Sequence, residues 1–558
     1  QVLISCKDEK APNYDKLVLA YLYCSIGHLA KSVKDVKILW HKNLSQKVIS
    51  TVHPTHGKFV STEKIEDLIK SPNLNIYYFD SDKDVEMALH EISNFMVSYN
   101  LSANPDVLKE YFTTVIGEIV SNSYNHSAQE RVFLMYDVLY EENSFTLCVN
   151  IIDYAVEGNR IKGAYGIGIE NDTFYIIEAK AVIIATGGAA GLYKPNNPGF
   201  SRHKMWYPPF NTGAGYAMGI KAGAEMTTFE MRFIALRCKD TIAPTGTLAQ
   251  GAGAKQINSL GEVYETKYGL TTSERVYGTV NENIEGRGPC YLRTEGISQE
   301  ASEDLKKAYL NMAPSQTLKW IESGKNPSEQ NVEIEGTEPY IVGGHTASGY
   351  WVDTKRRTTV KGLYAAGDVA GGCPQKYVTG ALAEGEIAAL TAISELGEIS
   401  AIDESDIERH LSEVTDFLYG NTDGTFTTEQ LEEAMQTVMD SYAGGIKTNY
   451  RFNEKQLDIA DTKIRQIYQL SEKLHAEDFQ ELMYIYELRE RLVVARSVIA
   501  HLKARKETRW HSFAENLDYP NKDNENFNKY VNSRLKDGEI EIILRDLVEG
   551  GRTYEHND

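Results

Sequence analysis

Two short apolar runs, each followed within two residues by glycine, set the fold class of this 558-residue chain. They are residues 181–185, before Thr186, Gly187 and Gly188, and residues 362–366, before Gly367 and Asp368. A continuous apolar run of this length is typical of a strand that is buried on both faces of a parallel sheet. The sequence therefore predicts an α/β domain in which two such strands end at glycine turns.

The residues after these strands suit a ligand site. Glycine lacks a Cβ and tolerates unusual dihedrals, so a backbone at Gly187 and Gly188 can approach a ligand closely. The carboxylate of Asp368 can accept hydrogen bonds from sugar hydroxyls at the carboxyl edge of a sheet. A helix is predicted to start near Thr379 or Gly380, where its free N–H groups favour an anionic or electron-rich atom.

Composition excludes several classes of function. A net charge of −21 disfavours nucleic acid and anionic membrane surfaces as partners. No run of eighteen apolar residues is present, so no membrane span is expected. The six cysteines include no C-x-x-C pair, which argues against an iron–sulfur cluster or a metal site in this chain and favours a reducing cytoplasm.

Other stretches predict the surrounding domains. Residues 111–127 read as a helix, and residues 131–140 and 144–153 read as a hairpin. Residues 211–338 have the mixed pattern of an insertion. Near the C-terminus, apolar residues recur at intervals of three and four and predict the buried face of a long helix: Leu482, Ile485, Leu488, Leu492, Ala495, Ile499 and Leu502.

Several segments together resemble a known family. "ATGG", "KMWYP", "ALRCKD", "EGRG", "GGHTASG", "GLYAAGD" and "ARKETRWHSFAENLDYP" occur in one order from about Val156 onward. In this order they resemble the flavoprotein subunits of the succinate dehydrogenase and fumarate reductase superfamily, and most closely the alpha subunits of adenylylsulfate reductase. The resemblance implies FAD as cofactor and an iron–sulfur, ferredoxin-like partner subunit, because the chain has no cysteine cluster of its own.

The resemblance also implies the catalytic residues. Trp206, Arg237 and His345 match the Trp, Arg and His that border the pocket where the flavin meets the sulfur of adenylylsulfate. Trp206 is expected to stack on the purine or shape the pocket. Arg237 is expected to hold sulfate oxygens in a bidentate fork, and His345 to exchange a proton with the reacting oxygen.

Fumarate reductases are the same-class alternative. They place a proton-donating arginine about three turns before the Arg-Gly of "EGRG", where this chain has Tyr277. Their F-H-P-T segment is also lacking. Both departures favour the interconversion of adenylylsulfate with AMP and sulfite over dicarboxylate chemistry.

The first 154 residues carry no G-x-G-x-x-G turn. They are similar to the ATP-binding domain of histidine kinases, with Glu118, Asn122 and Asp153 at the positions of its magnesium- and adenine-binding residues. This pattern predicts two incomplete domains that meet near Tyr154, through a true fusion or an assembly artefact. An ATP-binding regulatory module and an inactive chimeric chain are the alternatives from other classes.

The sequence thus predicts an α/β and α+β multidomain protein. Its expected parts are an ATPase-like domain (1–154), the C-terminal half of a FAD-binding domain (155–225 and 339–398), a capping domain (226–338) and a helical domain (399–558).

Overall fold

The computed structural model describes most of the chain after residue 148. The described residues are 149–169, 172–195, 205, 207–241, 249, 252–312, 314–372, 376–398, 401–420, 426–511, 514–548 and 553–556, with four strands before them. The chain divides into two compact units, Gln1–Leu147 and Cys148–Asp558. Trp206, Glu118 and Asn122, and the predicted helix at 111–127, lie outside the described residues.

The described strands are numbered in chain order. They are β1 (His53–Thr55), β2 (Lys58–Val60), β3 (Leu74–Phe79), β4 (Val132–Asp137), β5 (Asn150–Glu157), β6 (Arg160–Gly168), β7 (Thr173–Glu178), β8 (Val182–Ile184), β9 (Met226–Thr227), β10 (Leu236–Cys238), β11 (Lys255–Ile257), β12 (Cys290–Arg293), β13 (Val332–Gly336), β14 (Gly349–Tyr350), β15 (Leu363–Ala365), β16 (Arg451–Phe452), β17 (Glu515–Asn516), β18 (Lys529–Lys536) and β19 (Glu539–Asp546).

The described α-helices are numbered in the same way. They are α1 (Ala214–Lys221), α2 (Glu265–Tyr268), α3 (Thr272–Ile284), α4 (Gln299–Met312), α5 (Pro314–Ser323), α6 (Tyr377–Ser394), α7 (Glu404–Thr415), α8 (Thr428–Tyr442), α9 (Glu454–Ser471), α10 (Phe479–Ala504) and α11 (Asn524–Phe527).

The predicted hairpin of residues 131–140 with 144–153 falls largely on residues 138–148, which lie outside the described residues, and its described parts pair with other strands. Strand β4 pairs with β3, whereas β5 pairs with β6 across the two-residue turn Gly158-Asn159. Gly158 has a positive φ of 58°, which a tight hairpin turn requires and glycine adopts without strain. The turn signal that decides the pairing is therefore "EGNR" rather than "EENS".

Asp153 lies in β5 and belongs to the second unit, so its assignment to an ATP-binding domain is wrong. Its carboxylate forms an ion pair with Lys221 of α1, at 2.7 Å. The boundary between the units falls after Leu147, earlier than the predicted boundary at 154. The carboxylate of Asp153 is therefore engaged in an ion pair within the second unit.

The two apolar runs form strands that pair in parallel, as expected. Val182 lies opposite Leu363, and Ile184 lies opposite Ala365. The burial differs from the prediction: Ile184 is 6% exposed, but Ile183 on the other face is 42% exposed. One face of β8 therefore stays accessible, contrary to the pattern of a strand covered on both sides.

Helix α6, which follows β15, also presents apolar side chains to solvent. Val378, Leu382, Leu390 and Ile393 are each more than 60% exposed. A contiguous apolar patch of this kind marks a contact site or a region prone to aggregation.

The predicted long C-terminal helix is confirmed as α10. All seven apolar residues named for its buried face are at most 1% exposed. They pack with the β5–β6 hairpin and α1 in one hydrophobic core, which also contains residues of β8 and β15. A second core lies around the sheet β10–β13–β12–β11 of residues 226–338, and Tyr450 from the helical region also belongs to it.

Helix α10 also buries Glu490, which gives a pH-dependent prediction. Burial raises the pKa of Glu490 from 4.5 to about 7, although Thr212 donates a hydrogen bond to its carboxylate at 2.6 Å and Lys221 opposes the shift. Because the folded pKa is raised, the contribution to stability is full below the unfolded pKa and is lost as pH rises through about 7.

Glu490→Gln is therefore expected to raise the free energy of unfolding at about pH 8 by up to about 3 kcal/mol. Denaturant unfolding of both proteins at about pH 5 and about pH 8 measures this. The two should converge at the lower pH, where Glu490 is protonated in the folded state. An equal difference at both pH values would contradict the assignment.

Candidate active site

The carboxyl ends of β8 and β15 bring the two glycine turns together. Because the strands run in parallel and in register, Thr186–Gly188 and Gly367–Asp368 emerge at the same edge of the sheet. Gly187 and Gly367 both have a φ of +74°, which favours glycine. These predicted cofactor-binding residues therefore share one site.

The loop that carries His345 lies directly on Asp368. A Cβ added to Gly344 would lie 1.7 Å from the Asp368 carboxylate, and one added to Gly343 would lie 2.6 Å from the Asp368 carbonyl oxygen. The N–H of Gly343 donates to that carbonyl at 3.0 Å. The glycine pair in "GGH" is thus required by a close backbone approach, which brings His345 to the Asp368 turn.

His345 is half-buried beside two aromatic rings. Its ring centroid lies 4.4 Å from that of Phe233 and 5.6 Å from that of Tyr377. Burial lowers the pKa of His345 from 6.5, although the Asp368 carboxylate opposes this. The imidazole is therefore neutral near pH 7 and able to accept a proton.

Tyr207 is a site residue that sequence reasoning missed. The N–H of Gly188 donates to its hydroxyl at 2.9 Å, and the same hydroxyl lies 3.5 Å from Asp368 Oδ2. Burial raises the pKa of Tyr207 to about 12, so the hydroxyl stays protonated. The available sequence signal is its position next to Trp206 in "KMWYP".

Tyr207→Phe tests this contact. Removing the hydroxyl leaves the buried N–H of Gly188 without that acceptor, which is expected to lower the free energy of unfolding by about 1–3 kcal/mol. Denaturant unfolding measures the change. Tyr419→Phe is the matched control, since Tyr419 is 74% exposed and should have no effect. Equal stabilities of the two variants would contradict the contact.

Arg237 lies in β10 and is completely buried. Its Nη2 lies 3.0 Å from Glu335 Oε1, its Nη1 lies 4.0 Å from Glu338 Oε2, and Nη1 donates to the carbonyl of Thr241 at 3.4 Å. Burial raises the pKa of both glutamates, and Arg237 opposes each shift. The guanidinium is therefore held between carboxylates, and its contact with sulfate oxygens stays a prediction.

Arg237 and His345 are linked indirectly, through a backbone pairing between Phe233 and Tyr340. Phe233, which packs on the His345 ring, exchanges backbone hydrogen bonds with Tyr340 at 2.7 and 2.8 Å. The hydroxyl of Tyr340 donates to Glu338, the carboxylate that faces Arg237. The segment of residues 338–345 thus positions both Glu338, which faces Arg237, and the loop that carries His345.

The residues at the carboxyl edge fit a dinucleotide cofactor. Gly187, Gly367 and Gly372 have positive φ values, and a Cβ on Gly372 would meet no atom within 4 Å. Lys376 donates to the carbonyl of Gly367 at 2.8 Å and so fixes the start of α6. Its side chain makes no capping hydrogen bond to the first turn of that helix. Glycine turns, a carboxylate and a helix start together are the elements that hold a dinucleotide at a sheet edge.

Tyr277, the position that separates this chain from fumarate reductases, lies in α3. Its ring centroid lies 5.9 Å from that of Tyr268 and 5.3 Å from that of His511. The side chain therefore contributes aromatic packing.

Comparison with known proteins gives the family. The model of the FAD binding domain matches residues 144–380, and the model of the fumarate reductase flavoprotein C-terminus matches residues 432–549. The adenylylsulfate reductase alpha subunit of Megalodesulfovibrio gigas is 28% identical over 495 residues, which cover 76% of this chain and 72% of that protein.

Solved structures agree. A structure of adenosine-5-phosphosulfate reductase with sulfite is 32% identical, with a TM-score of 0.67 and 72% of each chain covered. Adenylylsulfate reductase of Archaeoglobus fulgidus is 28% identical, with a TM-score of 0.68, and covers 83% of this chain and 86% of its own. Flavin-site glycines, fold and relatives agree that the chain belongs to the adenylylsulfate reductase alpha-subunit family, within the succinate dehydrogenase and fumarate reductase flavoproteins.

Proposed function

We propose that this chain is a FAD-dependent oxidoreductase that interconverts adenylylsulfate with AMP and sulfite. The observation that carries the proposal is the match to adenylylsulfate reductases over about three quarters of the chain, together with His345 beside Asp368 at the flavin-type edge. The FAD binding domain spans both strand ends of this edge.

The residues that would hold FAD are Thr186, Gly187 and Gly188 after β8, and Gly367 and Asp368 after β15. The glycines let the backbone approach the cofactor, and Asp368 can accept hydrogen bonds from its hydroxyl groups. When bound, FAD supplies the two-electron exchange with the substrate sulfur.

The chain's own contribution is orientation and proton transfer. Reduction of adenylylsulfate breaks the bond between its sulfur and the bridging phosphate oxygen, with two electrons added to sulfur, and AMP and sulfite as products. In the reverse direction, neutral His345 accepts the proton from the attacking phosphate of AMP, and in the reducing direction it returns it.

Electrons reach the site from an iron–sulfur partner subunit. The family resemblance implies this partner, and it agrees with six cysteines that contain no C-x-x-C pair. The relatives are named as alpha subunits or reductases, which agrees with a second subunit. No helix among the described residues is long and apolar enough to cross a membrane. The scattered cysteines fit a reducing compartment, and we propose the cytoplasm on that ground.

An assay without the partner tests the proposal. Purified chain loaded with FAD is mixed with AMP, sulfite and ferricyanide, which accepts electrons directly. Ferricyanide reduction that requires both AMP and sulfite is expected. Oxidation of succinate under the same conditions, with no response to AMP and sulfite, would assign the chain to dicarboxylate chemistry instead.

A further inference from the structure

A positively charged cleft lies at the opposite edge of the sheet from the flavin-type site. It has a volume of about 710 Å³. Lys180 precedes β8 and Lys361 precedes β15, so both line the amino ends of the two parallel strands, and Arg160 at the start of β6 joins them. We call this the amino-end cleft.

The backbone fixes these three segments against one another. The N–H of Ile161 donates to the carbonyl of Lys361, and the N–H of Val182 donates to the carbonyl of Gly362, each at 2.9 Å. A Cβ on Gly362 would lie 2.7 Å from the side chain of Ile161, so only glycine permits this approach. The cationic side chains therefore start from a shared, rigid backbone framework.

The lining of the cleft contains more cationic than anionic side chains, namely Arg160, Lys180, Arg357, Lys361 and Arg545 against Glu395 and Glu555. Two of its arginines are paired: Arg357 donates to Glu395 at 2.9 Å, and Arg545 donates to Glu225 at 2.6 Å. Among the residues that the structure describes, none forms an ion pair with Arg160 or Lys180. In a chain of net charge −21, a local excess of cations is a feature that favours an anionic ligand.

Aromatic side chains form another part of the lining. Tyr364, Tyr554 and His556 face the cleft, and the rings of Tyr554 and His556 lie 5.6 Å apart. Trp351 supports this wall, because its Nε1 donates to the hydroxyl of Tyr554 at 3.0 Å. Cations beside aromatic rings, in a cleft within the size range of small-molecule sites, suit a phosphate group attached to a planar base.

We propose that the amino-end cleft binds a phosphorylated small molecule of mononucleotide size, with Arg160 and Lys180 at the phosphate. The site is distinct from the flavin-type edge, since β8 and β15 run in parallel from one to the other. The inference does not depend on the proposed reaction.

Isothermal titration of the full chain with GMP, and separately with inorganic pyrophosphate, tests the proposal at low ionic strength. GMP is used because AMP is expected at the active site. The double variant Arg160→Gln/Lys180→Gln should lower the affinity for both probes at least tenfold. Lys473→Gln is the matched control, since Lys473 is an exposed lysine with no ion pair among the described residues, and it should bind as the wild type does.

Both variants should keep the wild-type thermal unfolding temperature, because Arg160 and Lys180 are exposed and form no ion pair with any residue that the structure describes. Guanosine without phosphate should bind at least tenfold more weakly than GMP. Pyrophosphate binding without GMP binding would overturn the mononucleotide assignment. Binding that is unchanged in the double variant, or absent for both probes, would overturn the site itself.

Discussion

His345→Ala is expected to lower kcat of the AMP- and sulfite-dependent reaction by about 10²–10⁴-fold, the range for loss of a positioned acid–base group. The structure places the imidazole beside the Asp368 turn and packs it against the ring of Phe233 at a tilted angle. Gly343 and Gly344, which precede it, allow the close backbone approach that places it there. KM should change less than kcat, since proton transfer acts in the reaction step.

The pH dependence of kcat/KM tests the role of His345 independently. Because burial lowers the pKa of His345 below 6.5, kcat/KM in the direction that needs a neutral base should fall only when pH drops through this lowered value. His345→Ala should remove that limb. His475→Gln is the control, a half-buried histidine of the helical region. A wild-type profile and rate in His345→Ala would show that another group moves the proton.

Arg237→Met is expected to lower the free energy of unfolding by about 3–5 kcal/mol, the cost of removing one partner of a buried ion pair. The variant keeps much of the side-chain volume but leaves Glu335 and Glu338 without their cation. Glu338 is completely buried, and its Oε2 accepts no hydrogen bond from the described residues. Its carboxylate should therefore take up a proton in the variant.

Denaturant unfolding measures the loss, and a second variant identifies its cause. Arg237→Met/Glu338→Gln removes one orphaned charge together with the arginine, so it should be more stable than Arg237→Met alone. A single variant as stable as the wild type would contradict the ion-pair cluster. A direct role of Arg237 with sulfate predicts, in addition, a raised KM for sulfite in the protein that remains folded.

The sequence could predict features that depend on local pattern. Apolar periodicity identified the buried face of α10, and the two apolar runs identified β8 and β15. The structure pairs these two strands in parallel, which brings Gly188 and Asp368 to one edge. The same reasoning gave a ligand site at that edge, because carboxyl ends of parallel strands meet there.

Features that depend on distant partners could not be predicted. Arg237 is held by Glu335 and Glu338, about a hundred residues further along the chain, and no local pattern reports this pairing. The local pattern at Asp153 is similar to the end of an ATPase strand, and this pattern does not show the ion pair of Asp153 with Lys221. Tyr207 gained its role only from the approach of the Gly188 backbone, which is again a long-range contact.

Titration of the purified chain with FAD, followed by absorption and fluorescence, tests the central claim most directly. Stoichiometric binding with a shifted spectrum and quenched fluorescence is predicted. Gly344→Ala should weaken FAD binding strongly, because the added Cβ would collide with the Asp368 carboxylate. Gly397→Ala is the control and should bind FAD as the wild type does, because its Cβ would meet no atom within 4 Å. A flavin spectrum unchanged by the wild-type protein would contradict the account.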